Sequence, residues 1–255
     1  MANEAISKAG WRIVLLASLG GTLEFYDFVI FGVFANDIAD AIFPNPTPLL
    51  SLIQSFAAFA AGYLARPIGG IVLSHFGDRF GRRNVFLLSL FVMSLATLGM
   101  GFVPTFAVWG MGASIAMVTL RLVQGFCIGG ELPGALTYVV ETAPKHAPFV
   151  CAVVFACVTM GVAMATGVSV GVRTFLAPAQ VAEYGWRIAF VIGGLAGLLS
   201  FLMRRAMEES PEFARMKALA ARHPFGEVLK GHRGAVLVGI GALAATGAFN
   251  GLFFA

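Results

Sequence analysis

Seven apolar runs, near residues 13–35, 49–73, 85–103, 107–139, 149–172, 187–203 and 234–255, dominate the chain. A hydrocarbon layer about 30 Å thick takes roughly 20 helical residues to cross, so runs of this length define an all-α integral membrane protein. Composition agrees: 58% of residues are hydrophobic and 12% charged, whereas soluble domains carry about 25% charged residues. The fourth run is too long for one simple span, and its inner end is expected to project into the cytoplasm.

The connections alternate in charge. Lys8 and Arg12 precede the first run, while residues 36–48 hold Asp37 and Asp40 with no lysine or arginine. Arg79, Arg82 and Arg83 follow the second run, and Glu141, Lys145 and His146 follow the fourth. Arg204, Arg205, Arg215, Lys217, Arg222, Lys230 and Arg233 follow the sixth. Cytoplasmic loops carry the excess of basic residues, so the N-terminus and residues 204–233 read as cytoplasmic and residues 36–48 as external. Arg173 and Arg187 are mild exceptions on the outer side. The net charge of +4 follows from this asymmetry and needs no nucleic-acid partner. The organisation expected is a six-span bundle over 1–203, a cytoplasmic linker over 204–233 and one further span over 234–255. Ser210-Pro211-Glu212 starts a short linker helix, with a capping serine and proline at the first position. One span after the linker makes the chain read as cut short. A multi-pass protein of the bacterial inner membrane is the expected setting.

Inside the first run stand Glu24 and Asp27. A carboxylate near a bilayer centre costs roughly 2.5 to 3.5 kcal/mol on insertion scales and normally faces a partner or a watery cavity. A spacing of three puts both acids on one helix face, continuous with Gly20 and Phe31. Arg121, in the fourth run, lies at a comparable depth, roughly 18 Å in at about 1.5 Å per residue. Gln124, Ile128 and Glu131 follow it on broadly the same face. A guanidinium so placed either fixes a substrate carboxylate or pairs with the first-helix acids; the plainer reading is an ion pair that stabilises the bundle. Glu131, nearer the cytoplasmic boundary, reads equally as an interfacial acid or a coupling group.

Other patterns carry less. Cys127, Cys151 and Cys157 lie in apolar stretches without metal-type spacing and read as small hydrophobes. Gly167-Val168-Ser169-Val170-Gly171 matches a nucleophile elbow, which needs a strand-to-helix turn that an apolar span does not supply. His75 reads as a structural hydrogen-bonder. No acid, base and nucleophile converge, so neither an enzyme nor a cofactor or metal is expected.

Gly77-Asp78-Arg79-Phe80-Gly81-Arg82-Arg83 is the strongest motif: a glycine-permitted turn carrying one acid and three arginines. It resembles the signature loop of the major facilitator superfamily, with Ser74 where that loop often starts with glycine. Arg66-Pro67-Ile68-Gly69-Gly70, His75, Leu23-Glu24-Phe25-Tyr26-Asp27-Phe28, Arg121-Leu122-Val123-Gln124-Gly125, Gly129-Gly130-Glu131 and Glu208-Glu209-Ser210-Pro211-Glu212-Phe213 are similar to the metabolite:proton symporter family. Its members carry citrate, 2-oxoglutarate, shikimate, or proline and betaine. Leu132-Pro133 and Pro144-Lys145-His146-Ala147-Pro148 depart from its pattern.

The resemblance implies an N-terminal six-helix bundle of two three-helix inverted repeats, followed by the linker and a seventh transmembrane helix. It implies proton symport of a small polar metabolite, a carboxylate or zwitterion. Proton coupling would fall to Glu24 and Asp27, and substrate binding to Arg121, Tyr26 and Gln124. Asp78, Arg79, Arg82 and Arg83 would gate the cytoplasmic side against Glu141, Glu208 or Glu209. The partners implied are substrate, protons, the lipid bilayer, and a missing C-terminal half or partner chain. The alternative is a sensor or assembly subunit that kept the bundle and lost the pathway.

Overall fold

The computed structural model describes residues 8–205, 231 and 233–254. The chain divides into two compact units, one running to Arg215 and the other from Met216.

In the first unit, α1 (Lys8–Val33) leads into the short α2 (Ala35–Ile42). Helix α2 buries Ala35, Ile38, Ala39 and Ile42, one stripe at helical spacing. Pro48 opens α3 (Pro48–Phe80) at the first-turn position, where a missing N–H is harmless. The connection from α3 to α4 (Arg82–Phe102) is a single residue, Gly81, at φ 105°. The motif read from sequence as a turn over 77–83 is therefore mostly helix. Gly77 to Phe80 complete α3, and the Gly81 N–H donates to the Gly77 carbonyl at 3.0 Å. Within the motif, Gly81 is the residue that needs the positive φ that glycine adopts without penalty.

Beyond α4 come α5 (Phe106–Trp109) and α6 (Met111–Thr142), the latter with Pro133 inside it. A 3-10 turn at Pro144–His146 enters α7 (Ala147–Phe175). Helix α8 (Pro178–Gln180) passes through a π-helical turn at Val181–Gly185 into α9 (Trp186–Arg204). Six segments of this unit are long and apolar enough to cross a membrane: Val14–Val33, Pro48–Gly77, Arg83–Phe102, Met111–Glu141, Pro144–Phe175 and Pro178–Arg204. The second unit contributes α10 (Arg233–Phe254), 22 residues long.

The six long helices pack in a pattern that reveals their relation. The most extensive partnerships are α3 with α6, α1 with α7, and α4 with α9. Exchanging the triplet α1, α3, α4 for α6, α7, α9 turns the first partnership into the second and leaves the third unchanged. Helix α1 starts at the end of the bundle that holds Gly81, whereas α6 starts at the opposite end, so the two triplets have inverted topology. The close approaches obey the same exchange. A Cβ on Gly125 would lie 1.9 Å from the Gly62 carbonyl oxygen between α6 and α3, and one on Gly161 2.0 Å from the Thr22 carbonyl oxygen between α7 and α1. Of the α1 span, 72% is buried, against 17% of the α3 span, so α1 is the central helix and its polar residues are interior ones.

Candidate functional site

Glu24 and Asp27 are both buried, with Arg121 and Gln124 beside them on α6. Asp27 Oδ2 accepts from Thr97 Oγ1 at 2.6 Å and from Gln124 Nε2 at 3.0 Å. Gln124 Nε2 also lies 2.8 Å from Thr97 Oγ1. On its other side, Gln124 Oε1 accepts from Arg121 Nη1. The carboxamide thus bridges a cation and an acid, offering each the end that suits it. The Arg121 guanidinium also sits over two aromatic faces, 4.4 Å from the Phe31 centroid and 4.9 Å from that of Phe59. Such faces attract a cation electrostatically.

The sequence left open whether Arg121 pairs with the first-helix acids. Among the described ion pairs it meets no carboxylate directly. Glu24 pairs with Arg66 of α3 instead, Oε1 to Nη1 at 3.1 Å, and that guanidinium stacks on Tyr63 at 4.2 Å from the centroid. Asp27 Oδ1 and Glu24 Oε2 are buried without a hydrogen-bond partner. A narrow cleft between α1, α3 and α6, lined among others by Phe28, Tyr63, Arg66, Arg121, Gln124 and Ile128, runs alongside.

Tyr26 is placed differently from its site neighbours. Its hydroxyl donates to the Ala189 carbonyl at 2.9 Å, and the ring is buried against α9. Arg66 and Thr97 are site residues that sequence reasoning missed. Arg66 carried a signal, being a cation inside an apolar run. Thr97 carried none, because a threonine in a membrane helix ordinarily bonds its own backbone, as this one also does to Met93.

A second ionic centre lies nearer the Gly81 end. Glu131 Oε1 meets Arg204 Nη1 at 2.7 Å, with side-chain exposures of 1% and 0%. Arg204 also donates from Nε to the Leu16 carbonyl and from Nη2 to that of Ala17, on α1. This corrects the sequence reading of Arg204 as a cation of the basic linker. It closes α9 and is fully buried, because Glu131 and two carbonyls of α1 satisfy it.

The gate residues are placed in part. Arg83 Nη2 donates to the Arg205 carbonyl at 2.6 Å, joining the start of α4 to the end of α9. The Arg79 guanidinium lies 5.6 Å from the Phe80 centroid. Glu141 stands at the same end of α6. The side chains of Asp78 and Arg82, and Glu208 and Glu209 altogether, lie outside the described residues. At the opposite end, Arg173 pairs with Asp37 at 3.3 Å, and Arg187 donates to the carbonyls of Gly101 and Val103. Both exceptions to the charge pattern are thus held by local partners.

The family profile described as "Sugar (and other) transporter" matches residues 13–226. The chain is 35% identical over 232 residues to the shikimate transporter of Escherichia coli K12, covering 89% of this chain and 53% of that protein. It is 35% identical over 227 residues to the citrate-proton symporter of Klebsiella pneumoniae, covering 88% and 51% respectively. The xylose transporter XylE from E. coli, in a partially occluded inward-open conformation, superposes with a TM-score of 0.75 at 20% identity, over 83% of this chain and 52% of that one.

The described residues form the all-helical bundle of a multi-pass membrane protein. It belongs to the sugar (and other) transporter family of the major facilitator superfamily. The chain spans about half the length of the curated relatives it matches, and the part it spans is their N-terminal half.

Proposed function

We propose that the chain forms the N-terminal bundle of a proton-coupled transporter for a small polar metabolite, a carboxylate or zwitterion. Asp27 is the principal proton-carrying group, Glu24 its neighbour in the same pathway, and Arg121 the anchor for substrate negative charge. The observation that carries this reading is the Gln124 bridge between Arg121 and Asp27. A guanidinium keeps its proton under all physiological conditions, so Arg121 suits anion recognition and not proton shuttling. Asp27 has one oxygen held by Thr97 and Gln124 and the other unpartnered. A proton added to the free oxygen removes the charge that strengthens the Gln124 bond. Gln124 and Arg121 are then released toward the cleft, where a carboxylate satisfies the guanidinium. Proton loading and substrate loading thereby favour one another.

Three relatives support the substrate class: the shikimate transporter and the citrate-proton symporter, and the proline/betaine transporter of Salmonella typhimurium, 32% identical over 203 residues. The Gly81 end, with its arginines, faces the cytoplasm, and the cleft contributes one wall of a site completed by a second bundle. Tyr26 shapes that wall by holding α1 to α9. Arg79, Arg82 and Arg83, with Asp78 and Glu141, close the cytoplasmic side.

The test is uptake by vesicles carrying the two-bundle protein, with shikimate, citrate and proline as candidate substrates. An imposed inward proton gradient drives accumulation above the external concentration, and an uncoupler abolishes it. Accumulation that survives the uncoupler contradicts proton coupling.

A further inference from the structure

Between α3, α4 and α6, toward the Gly81 end, lies a cavity of about 200 Å³ lined among others by Ser74, Gly77, Ser89, Gly130, Gly134 and Thr137. Three hydroxyls, those of Ser74, Ser89 and Thr137, interrupt a wall otherwise formed by groups such as Leu73, Val85, Phe86 and Pro133, and the volume exceeds what a few water molecules need. Two of these lining residues adjoin the buried Glu131. Gly130 precedes it in α6, and Ser89, whose hydroxyl donates to the Phe86 carbonyl at 3.0 Å, stands beside its carboxylate from α4. Glu131 Oε1 is held by Arg204, while Oε2 is buried without a hydrogen-bond partner. An orphaned oxygen on a buried acid is costly unless water or a proton satisfies it.

We propose that Glu131 is a second protonatable station of the bundle, reached by water through this cavity from the Gly81 end. The inference rests on the transporter reading but uses a separate set of residues. A hydronium in the cavity passes its proton to Oε2: the new O–H bond forms as the hydronium reverts to water, and the reverse step releases the proton. The groups facing Glu131 are Arg204 from α9, Glu24 from α1, Ser89 from α4 and Cys127 from its own helix. From α3, Leu73 and Ser74 line the cavity, and neither titrates. Arg204 limits full discharge of the site, since protonating Glu131 leaves that cation with the Leu16 and Ala17 carbonyls and the Phe86 ring, 4.5 Å from its guanidinium. Gly20 makes the arrangement sterically possible, because a Cβ there would lie 1.7 Å from Glu131 Oε1.

The test has two arms on the two-bundle protein in oriented vesicles, with Cys127, Cys151 and Cys157 replaced by serine or alanine. In the first, S74C and S89C are probed with a small, charged, membrane-impermeant methanethiosulfonate. Both are modified from the Gly81 side, while L88C, on the 59% exposed apolar face of α4, is not. An unreactive S89C beside a reactive S74C overturns the water path, whether or not the protein transports anything. In the second arm, the infrared carbonyl stretch of protonated carboxylic acid is followed through a pH titration. Breaking a buried pair by removing one partner is strongly destabilising, so E131Q is accompanied by E131Q/R204Q. One titrating component of the band disappears in both variants. A titration identical to that of the parent protein overturns the assignment of Glu131.

Discussion

The residue that organises the site is Gln124, which is neither acidic nor basic. Its carboxamide accepts from Arg121 and donates to Asp27, so the geometry depends on an O and an N in fixed order. Q124E replaces the donor to Asp27 with a carboxylate that repels it and pairs with Arg121 directly. The expected result is a loss of uptake of at least tenfold, with the protein still folded by size-exclusion chromatography; near-parental uptake would remove Gln124 from the coupling account. R121K keeps the charge but loses the planar fork that matches a carboxylate. Both accumulation and exchange are expected to fall, read as a raised KM for a carboxylate substrate. Of this site, the acids and Arg121 were legible in the sequence because charge inside an apolar run is expensive and therefore visible. Thr97 was not, since nothing in one helix announces a partner 70 residues away in another. The same blindness placed Arg204 in a loop, where basic residues are ordinary, although Glu131 and two carbonyls draw it into the interior.

At the scale of elements, the helices follow from apolar run length, and their closeness from where glycine falls. The boundary between α3 and α4 shows the limit of motif reading. Seven motif residues looked like a turn, yet a single residue with positive φ reverses the chain, because helices can continue beyond a bilayer wherever their hydrogen bonds are kept. Two glycines of α7 give a controlled comparison. A Cβ on Gly161 would lie 2.0 Å from the Thr22 carbonyl oxygen, whereas one on Gly167 meets nothing within 4 Å. G161A is therefore expected to force α1 and α7 apart, costing about 1–3 kcal/mol as overpacking does. G167A gains up to about 1 kcal/mol of helix propensity. Thermal unfolding in detergent checks both: a lowered Tm for the first and an unchanged or raised Tm for the second. Equal effects would mean that the α1–α7 seam is not tight.

At the scale of the whole molecule, span length made the membrane helices legible and the family resemblance implied two inverted triplets, whereas which helix packs on which was not legible. That pairing follows from three-dimensional contacts that no single run encodes. Membrane orientation is testable independently of transport. In a background without the native cysteines, Cys at Asn45 is expected to react with an impermeant maleimide in intact cells, and Cys at Ala218 only after permeabilisation. The reverse pattern would invert the topology. Alternating access needs one bundle to move against another around a shared site, so purified 1–255 reconstituted by itself is not expected to concentrate any substrate.

The central claim, that Asp27 couples proton and substrate, is tested most directly by separating accumulation from exchange in one variant of the two-bundle protein. D27N preserves the shape of the side chain and an acceptor for Thr97 or Gln124, but it cannot cycle a proton. In proteoliposomes, D27N should abolish accumulation driven by a proton gradient while retaining exchange of labelled for unlabelled substrate down a concentration gradient. Proton-driven accumulation by D27N at the parental level, with its pH dependence unchanged, would contradict the account.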